Sequence, residues 1–167
     1  MATVYQVFSP EQAVFPASTF PAYIKVAGSN FPVTSLAYDA ATDEAAFFKF
    51  IAQNYGSGNL TLDIYWYADT GSTGVVRWGA SIAAITSDTD TQDVETDSLT
   101  TENTVDDTHL GTTNQRLHTA SITISNLDSI ANGDWVILRV RRVGSNAADT
   151  MSGDALATLF RLSYSDT

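Results

Sequence analysis

Carboxylates are the most numerous side chains in this sequence that can do chemistry, and many of them lie close together. Residues 87–114 hold eight Asp and Glu and no Lys or Arg, with many threonines between them. Calcium prefers carboxylate and carbonyl oxygens, so a calcium ion is one interpretation of this stretch. The spacing lacks the turn glycine and terminal glutamate of an EF-hand loop. A solvated acidic loop is therefore the stronger interpretation, and no other cofactor is indicated.

Two further groups of residues are candidates for catalysis. Asp149 and Asp154 can act as an acid–base pair, but Asp is also typical of turns, and no third catalytic partner is near them in the sequence. His109 and His118 can serve a Ser-His-Asp triad, but the Gly-x-Ser-x-Gly elbow is absent, and a surface histidine is the simpler interpretation. The sequence also lacks cysteine and a phosphate-binding loop. We therefore expect no enzymatic activity.

Aromatic residues offer a different chemistry, the stacking of sugar rings. Trp66 and Trp78 occupy the apolar positions of two segments in which apolar and other residues alternate. This pattern places both side chains in the predicted core. Tyr65 and Tyr67 lie on the opposite face of the same predicted strand. They are the candidates for glycan contact, and Trp135 belongs to the same set of aromatic residues that could form a sugar-stacking platform.

The few basic residues favour ion pairing over nucleic-acid binding. Arg139, Arg141 and Arg142 are three of only 8 Lys and Arg, against 19 Asp and Glu, and the net charge is −11. Such a chain repels phosphate backbones, so we expect these arginines to pair with carboxylates of the same or a neighbouring subunit. No run of 18 apolar residues predicts a membrane span, and the N-terminus does not resemble a secretory signal.

Period-two alternation of apolar and polar residues predicts the elements that must position these side chains. Turn-forming residues separate the alternating segments at 54–59, 69–74, 126–133 and 144–153. We predict an all-β, antiparallel, two-sheet β-sandwich, jelly-roll-like, over residues 36–167, which folds without metal or disulfide. The predicted strands are 46–52, 60–67, 76–84, 119–124, 136–141 and 156–163.

Residues 1–35 differ from the rest because they are apolar and rich in proline. Three Phe-Pro steps occur there: Phe15-Pro16, Phe20-Pro21 and Phe31-Pro32. Proline extends the residue before it and cannot donate to a sheet, so we predict an extended N-terminal arm that is neither helix nor central strand. Its apolar side chains need a surface to cover. We expect the arm to bury against a neighbouring subunit in a homo-oligomer, for which a trimer is one candidate state.

Six segments of the chain carry scaffold motifs: 15–21, 36–45, 74–78, 139–142, 148–150 and 153–155. Together they resemble a family of small virion structural proteins of tailed bacteriophages. The resemblance extends from about residue 15 to the C-terminus.

This resemblance implies a capsid decoration or cement protein that binds the major capsid protein or another virion protein. The implied location is the virion, at the capsid surface or the tail, after synthesis in the host cytoplasm. The alternative is a receptor- or glycan-binding module of a tail fibre or spike, with Tyr65 and Tyr67 as its contacts. A hydrolase that uses paired carboxylates is the least favoured hypothesis.

Overall fold

The computed structural model describes residues 2–68, 71, 73–111 and 114–167. Part of the predicted turn 69–74 and residues 112 and 113 of the acidic stretch lie outside the described residues. A single turn of 3-10 helix spans Pro10–Gln12, and no described helix has the length and apolar character to cross a membrane. The strands are β1 (Thr3–Phe8), β2 (Ala22–Val26), β3 (Val33–Tyr38), β4 (Asp43–Ile51), β5 (Leu60–Ala68), β6 (Gly74–Ile85), β7 (Asn103–His109), β8 (His118–Ile124), β9 (Trp135–Val143) and β10 (Ala155–Ser165).

The strands form two antiparallel sheets that pack face to face. The first sheet has the order β2-β3-β10-β5-β8, and β1 also pairs with β10. The second sheet has the order β4-β9-β6-β7. The predicted all-β, two-sheet sandwich is therefore confirmed, and each of the six predicted strands lies within a few residues of an observed one.

The alternating side chains of the two sheets meet in one core. Trp66 and Trp78 are fully buried, as their positions in the pattern predict, and their rings are 6.1 Å apart in an edge-on arrangement. Phe48 of the second sheet meets Phe160 of the first at 4.7 Å. These contacts join the inner faces of the two sheets.

Residues 2–35, the described part of the predicted arm 1–35, do not form an arm separate from the sandwich, which corrects the predicted domain boundary. β1 pairs with β10 from Thr3 to Phe8, β2 pairs with β3, and β3 already begins at Val33. The Phe-Pro steps predict no helix and no central strand in this region. β2 is an edge strand and β1 pairs with β10 alone, but a 3-10 turn and the start of the inner strand β3 also lie within the predicted arm. Pro16, Pro21 and Pro32 lie between the strands, where no ladder hydrogen bond is lost.

The phenylalanines of the Phe-Pro steps have different surroundings. Phe15 packs against the core of its own chain and meets Phe20 at 5.4 Å. Beside it, Val14 exchanges two backbone hydrogen bonds with Phe47 of the edge strand β4. Phe31, in contrast, is 70% exposed. The segment that holds Phe15 and Phe20 thus covers an edge of its own sandwich, and assembly through this region stays a prediction.

The acidic stretch 87–114 is only partly the solvated loop that the sequence predicts. Residues 87–96 are exposed, but residues 103–109 form β7, an edge strand that pairs with β6. Charged residues on an edge strand hide its alternation and protect the edge from further pairing. Glu102 lies on the second sheet, where a Cβ at Gly79 would overlap its carboxylate.

Each arginine that the sequence selects for ion pairing contacts a carboxylate of the same chain. Glu102 accepts hydrogen bonds from Arg139 (3.2 Å) and Arg141 (2.5 Å), and Arg141 also reaches Asp43 at 3.1 Å. These three pairs are partly exposed, with the arginines about one quarter accessible. They hold the acidic stretch and β4 against β9.

Arg142 and Asp149 form a pair of another kind, because both side chains are 0% exposed. Arg142 Nε and Nη2 donate to the two Asp149 oxygens at 2.9 and 2.7 Å. The remaining donors bond the carbonyl oxygens of Tyr38, Met151 and Gly153. All five guanidinium N–H groups are therefore used. The pair joins β9 of the second sheet to the end of β3 and to the chain leading into β10.

We predict that Arg142→Met lowers the free energy of unfolding by about 3–5 kcal/mol, because it leaves a buried carboxylate uncompensated. The matched control is Arg77→Met, since Arg77 is paired with Asp106 at the surface. Its loss should cost less than about 1 kcal/mol. Urea unfolding measures both values. Equal losses for the two variants would contradict the central role of the buried pair.

Candidate functional site

The outer face of the first sheet carries a groove of about 670 Å³. The hairpin that joins β2 to β3 forms one wall, and residues just before β8 form the other. The residues that line it are mainly apolar, with polar side chains at the hairpin. They include Asn30, Phe31, Val33, Tyr67, Gln115 and Leu117.

The walls of the groove are exposed, whereas its base is buried. Phe31 and Leu117 are 70% and 57% exposed. Tyr67 is buried and accepts a hydrogen bond from the Ser35 hydroxyl at 3.2 Å. Together with Ala37 and other neighbours it forms a small apolar cluster outside the main core. The groove therefore has a fixed floor and two apolar walls that nothing in the described part of the chain covers.

Local backbone geometry sets the position of Phe31. Gly28 has φ 65°, a conformation that favours glycine, and a Cβ there would overlap the Phe31 carbonyl oxygen. At the other end of the hairpin, the Tyr23 hydroxyl donates to Glu11 at 3.2 Å. Hydrogen bonds, the strongest from Thr34, hold the pKa of Glu11 at about 2. Glu11 thus stays ionised and ties the hairpin to the 3-10 turn.

A row of polar and aromatic side chains continues from the groove along the same face. Tyr65 is half-buried, two residues from Tyr67 on β5. The Arg161 guanidinium lies 5.8 Å from the Tyr65 ring and 5.4 Å from the ring of Tyr5. Arg161 also pairs with Asp63 at 2.6 Å. The two tyrosines that the sequence selects for glycan contact therefore lie on one face, one in the groove and one in this row.

A second concavity of about 510 Å³ lies at the exposed part of the acidic stretch. Its lining includes Trp135, which is half-buried, and Val94, which is 63% exposed. Asp88 and Asp90 lie at the same place. Trp135 is thus not on the face that carries Tyr65 and Tyr67, so the aromatic residues do not form one platform.

The two histidines are brought together at one end of the sandwich. Their ring centroids are 5.0 Å apart, and His118 stacks on Trp66 at 5.0 Å. His109 is fully buried, so the expectation of a surface histidine is wrong for it. The Trp66 indole donates to Asp107 at 2.7 Å. The cluster packs around a core tryptophan.

The described part of the chain supports neither the calcium interpretation nor an acid–base role for Asp149. No group of three or more His, Asp or Glu among the described residues can hold a metal ion, so the calcium interpretation gains no support. Asp149 forms the buried ion pair with Arg142, and it also accepts a hydrogen bond from the backbone N–H of Arg77 at 3.0 Å. It is therefore a structural carboxylate.

No protein-family model matches the chain, and no curated protein matches its sequence significantly. Solved structures do match its fold. One is the CBM36-1 domain of a multidomain xylanase from the hindgut metagenome of Trinervitermes trinervoides, with a TM-score of 0.50 and 9% identity over 95% of this chain and 96% of that chain. Another is a family 35 carbohydrate-binding module from an environmental isolate, with a TM-score of 0.54 and 14% identity over 94% of this chain and 91% of that chain.

At these identities the comparisons show the fold alone. The chain is a β-sandwich of the kind found in these carbohydrate-binding modules. The resemblance of its sequence to phage virion proteins stays a prediction.

Sequence reasoning missed the two residues that complete the outer face. Phe31 was assigned to an assembly arm because it precedes a proline, although its position beside a glycine-containing turn is also a hairpin signal. Arg161 was missed because it is a single charge within an apolar strand, and its partner Asp63 is 98 residues away in sequence. A charge at a strand position that faces solvent was the only available signal.

We predict that the protein loses stability as the pH falls below about 6.5, in part through His118. Desolvation lowers the pKa of His118 below 6.5. His109 and Arg116 lower this pKa further, whereas the negative charge of Asp107 raises it. The unfolded chain then binds the proton first, so the free energy of unfolding decreases as the pH falls from that value toward the folded pKa.

Urea unfolding between pH 7.5 and 5 measures this effect. The variant His118→Gln should show a shallower pH dependence than the wild type. An unchanged dependence would contradict the assignment to His118.

Proposed function

We propose that this chain is a non-catalytic carbohydrate-binding module that holds a glycan in the groove between the β2–β3 hairpin and the start of β8. The observation that carries the proposal is the exposed Phe31 ring, which stands beside Asn30 and above the buried Tyr67. The fold it shares with modules named for carbohydrate binding supports the same function.

The groove has the two kinds of group that sugar recognition needs. An aromatic ring such as Phe31 offers a flat apolar surface to the C–H face of a pyranose ring. The Asn30 amide and the Ser29 hydroxyl provide hydrogen-bonding groups at the same wall. An apolar ring left in water is costly, so a ligand that covers Phe31 gains free energy.

The lining of the groove supports binding without catalysis. Glycoside hydrolysis usually needs two carboxyl groups that flank the scissile bond. The described residues that line the groove include no carboxylate and no histidine. A glycan held there meets no general acid or base from these residues, and it would be released unchanged.

Capsid decoration remains a second hypothesis, which the sequence resemblance favours. One observation supports it. Tyr23 and Val26 lie on the edge strand β2, and both side chains are more than 40% exposed, as is that of Phe20 just before this strand. An apolar sheet edge can pair with another subunit. A glycan-binding role in a tail fibre or spike would agree with both the groove and a virion location.

We predict that the purified chain binds polysaccharides on an array of glucans, xylans, mannans, galacturonans and bacterial capsular polysaccharides. The variant Phe31→Ala should weaken binding about tenfold or more, since burying a phenylalanine contributes ~1.5–3 kcal/mol. Phe20→Ala is the matched control, because Phe20 is 43% exposed but lies outside the groove.

Affinity electrophoresis or calorimetry with the best polysaccharide gives the comparison. Equal losses in the two variants would place the binding site elsewhere. An absence of binding to every polysaccharide on the array would reject the proposed function.

A further inference from the structure

Arg161 is held in an unusual environment on the outer face of the first sheet. Its guanidinium lies between the rings of Tyr5 and Tyr65, at 5.4 and 5.8 Å from their centroids. Nε and Nη2 both donate to one oxygen of Asp63, at 3.2 and 2.6 Å. Cation–π contacts on two sides and two hydrogen bonds fix the orientation of the side chain.

The partner of Arg161 is itself fixed. The second oxygen of Asp63 accepts a hydrogen bond from the Ser121 hydroxyl at 2.5 Å, and the Asp63 side chain is only 11% exposed. Arg161 is 41% exposed, and its Nη1 donates no hydrogen bond to the described part of the chain. Nη1 therefore presents two unused N–H donors from a guanidinium that is already oriented.

These donors lie in line with the groove. Tyr67, Tyr65 and Asp63 follow each other on one face of β5, because side chains two residues apart point the same way. With a rise of ~3.3 Å per residue, Tyr67 and Asp63 are separated by roughly 13 Å. That distance is longer than one sugar ring, so a ligand that covers Tyr67 in the groove and also reaches the Arg161–Asp63 pair must be a chain of sugars.

We propose that Arg161 forms a second subsite, where Nη1 donates to oxygen atoms of a glycan chain that extends from the groove along β5. This inference rests on the proposed function. Tyr5, which is 56% exposed, provides an aromatic surface at the same subsite. The ligand is then an extended oligosaccharide or polysaccharide, and the groove alone would bind only its end.

The charges at this subsite indicate that the glycan is neutral. Asp63 already compensates the charge of Arg161. The chain as a whole carries −11, which repels acidic sugars over the surface. Hydroxyl oxygens of neutral sugars accept from a guanidinium without bringing a further negative charge.

The test uses the full chain and oligosaccharides of two to six sugars from glucan, xylan and mannan, with oligogalacturonates of the same lengths as the acidic comparison. For a neutral series, the six-sugar ligand should bind the wild type about tenfold more tightly than the two-sugar ligand, as expected for hydrogen bonds from a charged donor. Arg161→Lys keeps the charge opposite Asp63 but removes Nη1. It should abolish this gain and leave two-sugar binding unchanged.

Two further variants separate the subsite from the groove and from loss of folding. Arg77→Lys, on the other sheet, should retain the gain with chain length. Tyr5→Ala removes an exposed ring of the subsite and one cation–π contact to Arg161, but it leaves the hydrogen bonds between Arg161 and Asp63 in place. It should also reduce the gain, so the inference can be tested even where Arg161→Lys does not fold. Phe31→Ala should weaken ligands of every length, which distinguishes failure of the groove from failure of the subsite.

Three results would overturn the inference. A chain-length gain that persists in both Arg161→Lys and Tyr5→Ala would reject the subsite, while two-sugar binding would still support the proposed function. Tighter binding of oligogalacturonates would reject a neutral ligand. A wild-type dimer in sedimentation that Arg161→Lys converts to monomer, without glycan binding, would assign this face to a contact between copies of the chain.

Discussion

One buried ion pair, between Arg142 and Asp149, links the two sheets of the sandwich by directional bonds. Charges in a core are costly unless they are paired and fully hydrogen-bonded, and here five donors and both carboxylate oxygens are used. The pair joins β9 of one sheet to the end of β3 and to the approach to β10 of the other. The relative position of the two sheets at this end is thereby specified by directional bonds, which apolar packing alone does not supply.

β10 connects the buried ion pair to the candidate site, because the chain that contains Asp149 leads into this strand. It pairs with β1, β3 and β5, and so it occupies the middle of the first sheet. β3 leads to the hairpin that presents Phe31, and β5 presents Tyr67 and Tyr65. Arg161 belongs to β10 itself. The base of the groove and the row beside it therefore lie on strands that share one central neighbour, and sheet register fixes their spacing. The two walls of the groove come from the chain between β2 and β3 and from the residues before β8.

The sequence predicts a strand correctly where one face of that strand is buried and the other is exposed to solvent. The alternation around Trp66 predicts β5 and separates the core tryptophan from Tyr65 and Tyr67 on the outer face. β7 was missed because its Asp106 and Asp107 hide the pattern, and β1 and β2 were missed because prolines between strands resemble prolines within them. Arg161 and Asp63 become neighbours only through the pairing of β10 with β5, which local periodicity does not determine.

The central claim is that the groove on the outer face of the first sheet binds sugar. The most direct measurement is a titration of the isotope-labelled chain with the best-binding polysaccharide fragment, followed by amide chemical shifts. The account predicts shifts concentrated at residues 26–33, at Tyr65 and Tyr67, and at residues 115–117. Shifts confined to residues 85–94 and Trp135, which line the other concavity, would contradict it.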